Sequence, residues 1–94
     1  MSYNGWSNYE TWNVALWLDN DGYDSMLREM ARDAKDEYSL SKSIEDMIDE
    51  MTPDLGANMF SDMLNAALRE VNYYEIAEHY WAERESEDTD DDRI

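Results

Sequence analysis

Ninety-four residues suffice for one modest hydrophobic core. Asp and Glu number 24 against seven Lys plus Arg, a formal charge of -17, so most carboxylates have no internal cation to pair with. That balance disfavours direct binding of DNA or RNA, since no basic patch exists to neutralise phosphates. The 43% hydrophobic content argues against wholesale disorder, and the absence of cysteine excludes disulfides and thiolate metal sites. No apolar run reaches the ~20 residues that span a bilayer. Met1 to Trp6 also lacks the basic and apolar regions of a signal peptide, so the expectation is a soluble, cytoplasmic protein.

Apolar positions repeat at helical spacing almost throughout. Ser7 and Glu10 form a capping-box pattern that opens a first helix over about Asn8 to Asp19. Its apolar residues cover more than one face, which predicts a central helix. Asn20-Asp21-Gly22 is a stop signal. A second helix is predicted from about Tyr23 to Glu37, with Met26, Leu27, Met30, Ala31 and Ala34 on one stripe. A third follows over about Ser41 to Met51, capped from a serine cluster and burying Ile44, Met47, Ile48 and Met51. Thr52-Pro53-Asp54 ends it, and a fourth covers about Ala57 to Glu70 with Met59, Phe60, Met63 and Leu64 inward. Asn72 with Glu75 caps a fifth, on which Tyr73, Ile76, Ala77, Tyr80 and Trp81 share the apolar side and Tyr74 falls out of phase. The expected fold is all-α: a compact single-domain bundle of about five short helices over residues 1–84, with a disordered acidic tail over 85–94.

Catalysis finds little support. His79 is the single histidine, and no nucleophile or orienting acid is signalled beside it. The Asp19-Asn20-Asp21-Gly22-Tyr23-Asp24 stretch fails the calcium-loop pattern, because placing Gly22 sixth puts Trp17 at the first ligand position. Three isolated glycines cannot build a phosphate loop. The expectation is a non-enzyme with neither cofactor nor metal. The methionines could line a pliable binding groove, but their positions on the inward stripes favour core packing.

The carboxylates carry the positive signal. Glu45, Asp46, Asp49 and Glu50 load the outer face of the third helix, with Lys42 alone opposing them. Glu75 and Glu78 do the same on the fifth. Helical residues three or four apart stand about 5–6 Å from one another, and a DNA strand carries one charge per ~3.4 Å of axis. Rows of helical carboxylates can therefore offer a basic groove something close to a phosphate backbone. These six residues are the expected partner contacts. Removing 85–94 leaves most of the net charge on the helices.

The segment Ser7-Asn8-Tyr9-Glu10-Thr11-Trp12-Asn13-Val14-Ala15-Leu16-Trp17-Leu18-Asp19-Asn20-Asp21 resembles the N-terminal motif of a group of short phage and mobile-element proteins. Their later segment is similar to Val71-Asn72-Tyr73-Tyr74-Glu75-Ile76-Ala77-Glu78. In size, acidity and helicity the chain also looks like phage DNA mimics that block restriction enzymes or CRISPR effectors, a physical likeness rather than one of motifs. The resemblance implies a phage-encoded inhibitor in the host cytoplasm, whose partner is the basic surface of a DNA-binding protein or nucleoprotein complex. The alternative is a non-mimetic interaction module or homodimer whose acidity serves solubility.

Overall fold

The computed structural model describes residues 3–92, with side chains described as far as Glu83. Five helices follow in order: α1 Tyr9–Asn20, α2 Asp24–Asp33, α3 Glu37–Met51, α4 Met59–Arg69 and α5 Tyr73–Asp92. An isolated antiparallel bridge between Tyr3 and Trp6 precedes them. The expected tail, 85–94, overlaps the backbone of α5 as far as Asp92. Its side chains and residues 93–94 lie outside those described.

The helix starts differ from the sequence expectation in instructive ways. Asn8, not Ser7, caps α1: its side-chain oxygen accepts from the Thr11 N–H at 2.9 Å. Gly22, at φ +86°, ends α1 in a Schellman motif, where Tyr23 N–H returns to the Leu18 carbonyl at 3.0 Å. The long second helix splits. Ala34 turns extended, and Asp36 caps α3 by accepting from Ser39 N–H at 2.7 Å. The serine cluster therefore lies inside α3, where Ser41 is buried and its hydroxyl donates to the Tyr38 carbonyl. Asn58 and Ser61 cap each other's backbone at the start of α4. Asn72 caps α5 as its sequence predicts, accepting from Glu75 N–H at 3.1 Å.

α5 is the centre of the fold. It packs most extensively on α3, then on α2, and more lightly on α1. Leu27, Leu40, Ile44, Ile76 and Ala77 are fully buried where these helices meet. α1 is not the central helix: only Thr11 and Leu18 are buried on it, and Tyr9 and Trp17 stand about half exposed. Its apolar residues surround the helix, so one face meets α5, the Tyr3 ring packs on Tyr9 and Trp12, and Leu16 and Trp17 stay exposed.

α4 departs furthest from expectation. None of its residues is buried. Leu68 leans on the core, but Met59, Phe60 and Met63 are 63%, 64% and 63% exposed. Of the methionines assigned to the core, Met30 and Met47 pack against it, whereas Met26, Met51, Met59 and Met63 are exposed. Periodicity identifies an apolar face but says nothing of whether the chain can supply a surface to cover it.

Candidate functional site

The outward face of α3 carries Glu45, Asp46, Asp49 and Glu50 within two turns, the last three exposed and Glu45 half-buried. Lys42 Nζ stands 3.4 Å from Glu45 Oε1. That hydrogen bond and the Glu45 charge raise the lysine pKa. One cation offsets one of four carboxylates, and the pair is exposed enough to contribute little to stability.

Two tyrosines open α5, and the first of them adjoins this face. Tyr73 lines a groove of about 250 Å³ with Glu45, Asp49, Asn65, Leu68 and Arg69, between α3, α4 and α5. Burial, then the charges of Asp49 and Glu45, push its pKa up to about 12. Tyr74 is 43% exposed. Its pKa is raised first by Glu37, with slight burial and then Glu78 and Asp36 adding to the effect. The phenol thus feels carboxylates from the start of α3 and from α5. Asp36 and Glu37 were not expected here. The signal that could have found them is Asp36 three residues before Ser39, a cap pattern hidden by running the second helix on to Glu37.

Glu75 is diverted. Its Oε1 accepts from Ser7 N–H at 3.0 Å and Ser7 Oγ–H at 2.9 Å, tying the N-terminal segment to α5. Glu78 remains exposed and lines a shallow groove with Gly5, Trp6, Glu75 and His79. The expected six residues therefore divide. Glu45, Asp46, Asp49 and Glu50 form one face, Glu78 stands apart from it beside Tyr74 and the N-terminal turn, and Glu75 is bonded to Ser7.

Sequence reasoning also missed the N-terminal turn. Asn4 and Gly5 both take positive φ, 49° and 93°, and Trp6 N–H donates to the Tyr3 carbonyl at 2.8 Å. Asn-Gly between aromatic residues is the signal for such a turn. It sets the Trp6 ring 5.6 Å from His79, above a groove of about 360 Å³ lined also by Trp12, Asp19, Asp24, Arg28, Tyr80 and Glu83. Arg28 pairs with Glu83 at 3.3 Å and Asp24 at 3.8 Å. His79 Nε2 lies 3.9 Å from Glu83. The described residues that line this groove are aromatic, acidic and apolar side chains with Arg28 and His79. Burial, then Asp19, Glu83 and Asp24, hold the Tyr80 phenol neutral to about pH 12. The groove can receive a flat or cationic group. Among the described residues no group of three or more His, Asp or Glu is placed to hold a metal ion, and no helix is long and apolar enough to cross a membrane.

Residues 1–88 match a family of unknown function, DUF7249, and the chain belongs to it. No match was found among curated proteins or among solved structures.

Proposed function

We propose that this member of a family without assigned function is an acidic DNA mimic. In this reading it is encoded by a phage or mobile element and acts in the host cytoplasm. It binds the nucleic-acid-binding surface of a defence complex, a restriction enzyme or CRISPR effector, and blocks DNA binding stoichiometrically. The observation that carries the reading is the α3 face, where Glu45, Asp46, Asp49 and Glu50 stand outward and, among the described residues, one ion pair, Lys42 with Glu45, offsets them. A second acidic group, Asp36, Glu37 and Glu78, acts on the half-exposed Tyr74, an aromatic anchor of the kind that concentrates binding energy.

The physics supports a role in association. Crowded like charges destabilise the free protein and are relieved when Lys and Arg arrive. The same field steers a basic partner and quickens encounter at low salt. Glu75 contributes less than its neighbours because Ser7 occupies its Oε1. The test is displacement of labelled duplex DNA from purified restriction and CRISPR complexes across a salt series. Mimicry predicts one-to-one competition that weakens steeply as salt rises. Displacement indifferent to salt, or none from any such complex, contradicts it.

A further inference from the structure

We propose that the exposed apolar face of α4 is a self-association surface, joining two copies of this chain through antiparallel α4 helices. Met59, Phe60 and Met63 lie together on the side of α4 turned from the core, with Ala66 and Ala67 also exposed on it. Leu55 in the preceding loop and Met51 at the end of α3 are 41% and 46% exposed. At these exposures the five large side chains present on the order of 500 Å² per copy, taking ~200 Å² for each when fully exposed. Two copies face to face would then bury about 1,000 Å², the lower bound of a specific interface.

Charge selects a second copy as the occupant and α4 as the face. Two chains of -17 repel each other across most of their surfaces. Of the five helices described, α4 alone carries balanced charge, with Asp62 and Arg69. Those two residues are seven apart, so they flank the apolar stripe on the same side. Among the described residues neither makes an ion pair within its own chain. An antiparallel two-fold arrangement sets Asp62 of each copy opposite Arg69 of the other, making two reciprocal pairs. The same register lays each Met63 over Ala66 and Ala67 of the second copy, large against small. A two-fold axis allows one patch to satisfy itself in this way.

The test is the mass of the full-length protein in solution by sedimentation equilibrium, over a wide concentration range at low and high salt. The expected result is a reversible dimer that tightens as salt screens the net charge. That is opposite in sign to the salt response of the proposed basic partner, so the two readings fail separately. Met63→Glu, on an exposed position, should keep the helical circular dichroism and weaken the dimer by about a hundredfold. D62R or R69D alone should weaken it by about five- to tenfold, and the D62R/R69D double variant should restore it. A chain monomeric at every salt leaves α4 to a different partner and overturns the proposal. So does a dimer indifferent to Met63→Glu.

Discussion

Asn8 and Thr11 close the molecule with two short side chains. The Asn8 amide accepts from Thr11 N–H and donates to the Glu70 carbonyl at 2.7 Å, and the buried Thr11 hydroxyl accepts from Asn72 N–H at 2.8 Å. Together they fasten the start of α1 to the link between α4 and α5. Asn8→Ala removes a cap and leaves the Glu70 carbonyl without this donor, which should cost about 1–2 kcal/mol. Ser7→Ala, which loses the hydroxyl's bond to Glu75 and keeps the backbone one, should cost less. Urea midpoints of the two variants check the order. The sequence admits either residue as the cap, because Ser7 with Glu10 and Asn8 with Thr11 both satisfy local rules. The choice is made by Glu75, 68 residues away from Ser7, which takes the serine for itself. Tyr73 and Tyr80 supply a second residue-scale prediction. Both pKa values are pushed to about 12, above the ordinary 10, so the folded state holds its phenolic protons longer than the unfolded chain. Stability is therefore unaffected by these groups below pH 10 and falls as pH rises from 10 towards 12. Tyrosinate absorbance should show two phenols ionising late, while the urea midpoint drops across the same window.

The helices as units were largely legible, and their ends were not. Five periodic segments appear in the sequence and five helices in the fold, because a 3.6-residue apolar repeat is a strong local signal. Residues 34–37 were misread since Ala34 continues the apolar stripe of α2, and only the extended backbone at Ala34 and the Asp36 cap break it. The Asp36 carboxyl is held below the usual carboxylate range, first by the Ser39 N–H and then by the Ser39 hydroxyl. Its capping contribution is thus present above the ordinary carboxylate pKa and lost as pH falls through the lowered one. Asp36→Ala should fray the first turn of α3, and amide exchange at Ser39 and Leu40 should quicken severalfold while the core residues Ile44 and Ile48 stay protected. α4 marks the other limit. Its apolar face is plain in the sequence, and its exposure is not, since exposure depends on how much surface the other helices have left to offer.

At the scale of the whole molecule, the charge of -17 divides between structure and surface. Arg28 holds Asp24 and Glu83 together across α2 and α5, and Ser7 holds Glu75. Among the described residues the α3 face has one ion pair, Lys42 with Glu45. The acidic rows of the candidate site were legible as helical spacing. The grouping of Asp36, Glu37 and Glu78 about Tyr74 was not, because it depends on how α5 packs on α3. The account requires this particular face, rather than net charge, to engage a basic partner. Two variants that each lose four charges separate the alternatives. One carries E45Q, D46N, D49N and E50Q. The other carries D19N, D21N, E29Q and D33N, exposed positions on α1, α2 and the turn between them. DNA displacement from a sensitive restriction or CRISPR complex, measured side by side at low salt, should weaken about ten- to a hundredfold for the first and little for the second. Equal weakening of the two would reduce the protein to an unspecific polyanion and contradict the account.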